Sequence, residues 1–415
     1  MSRYLLTPFG SAGDVNPFVW LGRHLQSRGH EVTVITTSLF QEVVEGAGLN
    51  FVGLGANEDI LKVLAHPDLW KPWSGTGIVF HMAMEYLRPC YQELVSRIEP
   101  GRTVLISPFH MFAPRAAREK FQVPLITVHL QPAALLSVHD ETTFLPGQEW
   151  SARLPVWFKK LLFRLPNPAD FHANKPLRAF CREINIPAPR RVLPDWHHSP
   201  DGNLLLFPEW FAPRQPDWPH PSLAAGFPME DLRHQFTLPP ELEAFLAAGD
   251  KPILFSPGTG NLQAREFFAA GLEACARLGR RALVGTRFPE QLPQPLPPYA
   301  RHFDYLPFST VLPRVAALVH HGGIGTLSQA MAAGVPQLIM PMGHDQPDNA
   351  LRAKKLGIAE DLLPRHFTAT NVASALARLT QSPDVAAACA RASEHFQHHD
   401  AAQRALDWLE TRVPS

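Results

Sequence analysis

The sequence predicts an α/β protein of two doubly wound, parallel-sheet domains. Three observations carry this. The first fifty residues alternate β-type apolar runs with helix-type runs over short loops. The same alternation returns between Lys251 and Pro341. Between these stretches, from Thr143 to about Pro240, prolines recur and the alternation fades. A chain of 415 residues is also too long for one compact core, so two domains are expected.

Each element has its own justification. Tyr4 to Thr7 is a short apolar run ending in Pro-Phe-Gly, as a buried strand meeting a loop does. Asn16 to Ser27 predicts a helix, with Phe18, Leu21 and Leu25 on one side and a stop at Gly29. Glu31 to Thr37 is rich in Val, Ile and Thr and predicts a strand; a helix over Leu39 to Glu45 and a strand near Phe51 follow. Thr103 to Ser107, Leu125 to His129 and Asn203 to Phe207 predict further strands, while "PRQPDWPHP" (Pro213 to Pro221) excludes regular structure. In the second half, "KPILFSPGTG" (Lys251 to Gly260) is a strand running into a glycine turn. Leu262 to Leu278 is helical, and Arg281 to Thr286, Ala316 to Gly322 and Pro336 to Pro341 are strands. Helices are expected over Thr326 to Ala333, Asp348 to Leu356 and Thr370 to Leu379, with one or two more closing the chain from Pro383 to Leu409. The expected domains are 1–227, 228–395 and a closing helix over 396–415 that packs back on the first.

Composition narrows the function. Apolar residues make up 45% and charged residues 18%, enough apolar side chains for two cores. Lys+Arg and Asp+Glu are both 38, so the basic excess of a nucleic-acid binder is absent. Cys90, Cys181, Cys275 and Cys389 form no CxxC pair, which argues against a zinc or disulfide framework and suits a reducing cytoplasm. The start meets an acid at Asp14 and lacks a signal peptide's apolar centre, and no run approaches the roughly 20 apolar residues of a membrane span.

The run "VHHGGIGTLSQAMAAGVPQLIMPMGHDQP" (Val319 to Pro347) holds most of the chemistry. A strand feeds the glycines Gly322, Gly323 and Gly325, which open a helix. Glycines let backbone amides approach an anion, and the helix start adds partial positive charge. Thr326 supplies a hydroxyl and His321 an imidazole N–H, a set suited to a diphosphate without a metal.

This run resembles the donor-binding signature of inverting family 1 glycosyltransferases. The pattern is carried by His321, Gly322, Gly323, Gly325-Thr326, Gly334-Val335-Pro336, Pro341 and Asp345-Gln346. The resemblance spans the chain, and "GSAGDVNPF" (Gly10 to Phe18), "LFPEWFAPRQPDWP" and "FDYLPF" (Phe303 to Phe308) are similar to the rhamnosyltransferases of rhamnolipid biosynthesis. It implies two facing Rossmann-like domains of the GT-B type and a nucleotide-sugar co-substrate, with no other cofactor. It also implies site residues. His321, Gly323, Gly325 and Thr326 match the diphosphate loop, Gly258 and Thr259 a second phosphate-side loop, and Tyr305 a ring under the nucleobase. Asp345 and Gln346 match the pair that bonds the sugar hydroxyls. Many members carry Glu where this chain has Gln329. A neutral amide is a weaker acceptor for two ribose hydroxyls, so the donor is expected to be a dTDP-sugar, with a UDP-sugar as the alternative.

The resemblance places the catalytic base at Asp14, where other members use His, to take a proton from the acceptor hydroxyl as it attacks the anomeric carbon. The acid that orients such a His would lie near Ser107-Pro108; none is there, which fits an Asp14 acting alone. The competing role for Asp14 is to cap the helix beginning near Asn16. Phe18, His81, Phe109 and His110 are candidates for acceptor contact. The runs Gly77 to Tyr91 and Ser107 to Phe112 line an apolar pocket or form core; the sequence leaves both open. "ARLPVWFKKLLFRLP" (Ala152 to Pro166) has the composition of a membrane-surface helix or of one packed on the first domain. His197-His198 and His398-His399 are expected to be solvated, and no metal is expected.

The expectation is therefore a cytoplasmic enzyme, in peripheral contact with the inner membrane face if its acceptor is amphiphilic. It moves L-rhamnose from dTDP-L-rhamnose to a hydroxylated lipid such as a 3-(3-hydroxyalkanoyloxy)alkanoate. The alternatives are a UDP-glucose-dependent enzyme acting on a sterol, flavonoid or other apolar aglycone, and a non-catalytic glycosyltransferase-like partner subunit.

Overall fold

The computed structural model describes residues 1–55, 61–63, 66–143, 145–229, 237–397 and 400–412. It divides into two units: 1–142 with 150–228 and 400–415, and 143–149 with 229–399.

The first unit is built on a seven-stranded parallel sheet of β1 (Arg3–Leu6), β2 (Glu31–Thr36), β3 (Asn50–Gly53), β4 (Thr103–Pro108), β5 (Leu125–His129), β6 (Asn203–Leu205) and β7 (Ser222–Ala224), in the order β3-β2-β1-β4-β5-β6-β7. The central strands β4 and β5 are buried at every position, as parallel strands covered on both faces must be. The second unit holds a six-stranded parallel sheet of β8 (Ile253–Ser256), β9 (Ala282–Gly285), β10 (Ala300–Phe303), β11 (Ala317–His320), β12 (Gln337–Ile339) and β13 (Ala359–Asp361), in the order β10-β9-β8-β11-β12-β13. Both sheets therefore reverse direction of winding between the first strand and the fourth, and this switch point is where open α/β sheets bind ligands.

Several elements differ from the sequence expectation. The first helix runs Ala12–Ser27, four residues longer at its start than the pattern from Asn16 suggests. Pro17 marks a helix start in sequence, but a further turn precedes it, and the exposed Gly13 leaves the carbonyl that Pro17 cannot serve open to water. Strands β7, β10 and β13 have three or four residues each and are incompletely buried, so they show no apolar run. The proline-rich middle contains the helices Val156–Leu162, Pro168–His172, Asn174–Glu183 and Val192–Trp196. Segment 143–149 groups with the second unit, where the Thr143 amide donates to Asp348 (3.2 Å) and Glu149 pairs with Lys354 (2.7 Å).

The last helix, Ala401–Glu410, belongs to the first unit. Arg28 at the end of the first helix bonds Asp407 (2.8 Å) and Glu410 (2.9 Å). A side chain on Gly202 would lie 2.7 Å from the Trp408 ring, so the glycine is what lets the indole pack there. The four cysteines are buried and unpaired. Among the described residues, no helix is long and apolar enough to cross a membrane.

Candidate active site

In the second unit the predicted donor residues fall in the loops at the carboxyl ends of β8, β10, β11 and β12 and in the helices that follow β11 and β12. His320 ends β11 and is fully buried. Its Nδ1 accepts the Gly322 amide (3.1 Å), and its Nε2–H donates to Gln337 Oε1 on β12 (3.0 Å), which fixes a neutral tautomer. Burial and the adjacent His321 pull its pKa down to about 3. His320 thus shapes the loop from beneath. Gly322 sits at φ +96°, and a Cβ there would lie 2.9 Å from Ile339 and 3.3 Å from Gln346, so only glycine fits.

His321 lies between two glycine backbones. A Cβ on Gly258 (φ +97°) would stand 2.6 Å from its Cε1, and one on Gly323 2.5 Å from its Nε2. The contact exists because β8 and β11 are neighbours at the switch point. Burial lowers the His321 pKa to about 4, so the ring is neutral at neutral pH and offers one N–H. The helix Ile324–Ala332 begins immediately after, with Gly323 as N-cap and no side-chain cap. Its first-turn amides are thus left for an external acceptor. Open space surrounds the Cα of the exposed Gly325. Thr326 is in that first turn and Gln329 follows one turn later on the same face; both are half-buried. Thr259 is exposed in the β8 loop, and Tyr305 is half-buried just beyond β10.

The Asp345-Gln346 pair opens the helix Gln346–Lys355. The preceding His344 adopts φ +57°, a left-handed conformation unusual for a residue with a side chain. Asp345 Oδ2 accepts from Asn349 Nδ2 (2.6 Å), and the same nitrogen donates to the Gly322 carbonyl (2.9 Å). Gln346 is buried, and its Oε1 accepts the Met342 amide (2.8 Å) and the Gly343 amide (3.4 Å), which leaves its Nε2 as the donor end of the side chain. One turn further, Asp348 and Arg352 form a buried ion pair (2.8 Å). Asn349 escaped the sequence reading, although its i,i+4 spacing from Asp345 on a helix is a usable signal.

In the first unit Asp14 is the third residue of its helix, not the N-cap. Its Oδ2 accepts from the Ser11 amide (2.7 Å) and the Ser11 hydroxyl (2.9 Å), completing a capping box. A Cβ on Gly10 (φ +133°) would lie 2.4 Å from that oxygen, so the glycine makes room for the carboxylate. Asp14 is half-buried. From the β4 side of the switch point, His110 donates Nε2–H to the Phe9 carbonyl (3.0 Å). Burial holds the His110 pKa below its ordinary value while the Asp14 charge pulls it up. The Asp14 charge thus reaches an imidazole, a neighbour that no local spacing in the sequence reports.

The other acceptor candidates separate. Phe18 is wholly buried and belongs to the core, a correction to its expected acceptor contact. His81 is exposed and faces Glu85 (3.6 Å). Phe109 is half-buried, stacked on His197 (4.6 Å between centroids). Within Gly77 to Tyr91, Phe80, Met82, Ala83, Tyr86, Leu87 and Cys90 join one core cluster with Met111 and Phe112, so core prevails there over pocket. In the Ala152 to Pro166 stretch, Trp157 (68%), Leu161 (50%) and Leu165 (55%) are exposed. His197 is only 2% exposed, which corrects the expectation of a solvated pair; His398-His399 lies outside the described residues.

Comparison with known proteins agrees with this geometry. Residues 4–139 match the glycosyltransferase family 28 N-terminal domain, and residues 286–404 match the C-terminal domain of erythromycin biosynthesis protein CIII-like enzymes. The chain is 29% identical to O-mycaminosyltylonolide 6-deoxyallosyltransferase of Streptomyces fradiae, over 99% of this chain and 98% of that one. Its fold matches the glycotransferase of kitacinnamycin (TM-score 0.75, 21% identity, 100% of this chain and 99% of that one). It also matches a spinosyn rhamnosyltransferase complexed with thymidine diphosphate (TM-score 0.70, 19% identity, 98% and 100%). With both signature domains on two parallel-sheet units, the chain is a glycosyltransferase of the GT-B fold, family 1/28 and EryCIII-like, in the hexosyltransferase class.

Proposed function

We propose that this glycosyltransferase transfers a 6-deoxyhexose, L-rhamnose first among them, from its dTDP-sugar to a hydroxyl of an apolar acceptor. The observation that carries the reading is the loop around His321. An uncapped helix start, a neutral imidazole wedged between Gly258 and Gly323, and Thr326 form a donor set for a diphosphate. Gln329 supports the deoxynucleotide, since an amide is a weaker partner for a ribose diol than a carboxylate. The thymidine diphosphate held by the spinosyn rhamnosyltransferase, and the deoxyhexose named for the Streptomyces relative, point the same way.

In this mechanism the acceptor O–H proton passes to the Asp14 carboxylate while the oxygen attacks the anomeric carbon. The bond from that carbon to the diphosphate oxygen breaks on the opposite face, so configuration inverts. The departing diphosphate takes hydrogen bonds from the helix amides, Thr326 and His321. Tyr305 stacks under the base. Asp345 and the Gln346 amide hold the sugar hydroxyls. The acceptor is a hydroxylated lipid such as a 3-(3-hydroxyalkanoyloxy)alkanoate, and the exposed Trp157, Leu161 and Leu165 beside Lys160 and Arg164 suit peripheral contact with the membrane it partitions into.

The test is product formation from dTDP-L-rhamnose and from UDP-glucose, each against a hydroxyalkanoyl lipid, a spinosyn aglycone and a sterol. Rhamnosyl transfer to the lipid is expected; preference for UDP-glucose overturns the donor assignment, and rhamnosyl transfer to the sterol or the polyketide alone overturns the lipid.

A further inference from the structure

The first unit contains a second cluster of functional side chains, separate from the proposed chemistry. His129 ends β5, and His197 and His198 follow the helix Val192–Trp196. One ring nitrogen from each lies within 4.8 Å of one from each of the others. His129 and His197 are buried at 0% and 2% exposure, and His198 is half-buried.

One of the three rings has its tautomer fixed. His197 Nε2–H donates to the Ala134 carbonyl, which can only accept, so the lone pair of this ring sits on Nδ1. That nitrogen is buried and has no hydrogen-bond partner. A ring N–H fixed on a backbone carbonyl, with the other nitrogen left basic, is the arrangement metal-bound histidines use. His198 Nδ1 and His129 Nε2 stand 3.2 Å apart in a hydrogen bond, and an ion would displace the one proton they share. Two nitrogens bound to one tetrahedral ion at 2.0–2.1 Å sit about 3.3–3.4 Å apart. The cluster is also braced. Phe109 stacks on His197 (4.6 Å) and on His129 (6.1 Å), and the His198 carbonyl is held by Arg115 (2.7 Å), whose charge is met by Glu119 (2.9 Å).

We propose that His129, His197 and His198 form a binding site for one divalent transition-metal ion of the imidazole-preferring class, zinc being the first candidate. Water completes the coordination from the His198 side. The ion ties the end of β5 to the segment after Val192–Trp196. It takes no part in sugar transfer, so this site and the donor loop stand or fall separately. The sequence gives adjacent histidines no metal signature; the third ligand comes from a strand 68 residues away in the chain, which only the fold reveals.

The test uses the full-length protein stripped with a chelator. Titration with Co²⁺ is expected to give one ion per chain, with visible ligand-field absorption of a four-coordinate site that Zn²⁺ abolishes. Zn²⁺ at about 100 times its dissociation constant is expected to raise the melting temperature by about 5–10 °C. His198→Ala, at the half-exposed position, and His129→Gln are each expected to weaken Co²⁺ binding by about 100-fold or more. dTDP binding stays unchanged. Anomalous diffraction at the zinc edge locates the ion without any variant, which keeps the question decidable if His129→Gln does not fold. Absence of a one-to-one ion, unaltered affinity in His198→Ala, or an anomalous peak elsewhere overturns the site.

Discussion

Asn349 joins Asp345 to the glycine loop: its Nδ2 donates both to the Asp345 carboxylate (2.6 Å) and to the Gly322 carbonyl (2.9 Å). Asn349 is fully buried, so this bond is shielded from water. It fixes the acid of the proposed sugar site to the loop of the proposed diphosphate site, and it makes the two parts of the donor pocket one rigid piece. Replacing Asn349 by Ala removes a hydrogen bond to a charged group, about 1.5–3 kcal/mol. The expected result is a 10- to 150-fold loss in kcat/KM for the donor, read by steady-state kinetics, with dTDP affinity changed far less.

Gly258 and Gly323 make a different prediction. Alanine at either position would place a Cβ 2.6 or 2.5 Å from the His321 ring, about 1 Å inside van der Waals contact, so the imidazole must leave its place. Gly258→Ala carries in addition the strain of φ +97°, about 1–3 kcal/mol. Calorimetric titration with dTDP should show at least tenfold weaker binding for both variants. Thermal melting should separate them, with Gly258→Ala the less stable.

Gln329→Glu tests nucleotide choice. A carboxylate can accept from both hydroxyls of a ribose, which the deoxynucleotide cannot exploit. The ratio of UDP to dTDP affinity should rise about tenfold, measured by competition on the purified protein.

Stability should fall on the acid side. His320 and His321 are held neutral in the fold, at about 3 and about 4, whereas in the unfolded chain they titrate near 6.5. Between these values the unfolded chain binds more protons than the native one. Their stabilising contribution is thus complete above about pH 6.5 and is lost as pH falls toward 4. Each contributes a slope of about 1.4 kcal/mol per pH unit in that window. Urea unfolding at pH 7, 6 and 5 should show the decline, and His321→Gln should flatten it by about that amount per unit.

The sheets were legible in sequence wherever the strand was buried on both sides. Strands β4, β5 and β11 are unbroken buried runs, and periodicity alone finds them. Strands β7, β10 and β13 are edge or near-edge strands of three or four residues, and their half-exposed positions carry no pattern. The glycine positions were legible because their backbone geometry admits nothing else at Gly258 and Gly322. What the sequence hid was tertiary. His110 meets the Asp14 field because β1 and β4 are neighbours, which no local spacing reports. Phe18 shares its helix face with Leu21 and Leu25, and all three are wholly buried, so that spacing already marked it as core. His197 sits beside a polar neighbour in sequence and is buried where Phe109 and His129, distant in the chain, stack against it.

In the proposed mechanism the Asp14 carboxylate takes the acceptor proton. Its most direct test is Asp14→Asn, which preserves shape and can still accept the Ser11 amide bond that closes the helix start. Rapid-quench turnover should drop by about 10²- to 10⁴-fold, while the dTDP dissociation constant and melting temperature stay close to those of the parent protein. Turnover that survives the substitution would contradict the account.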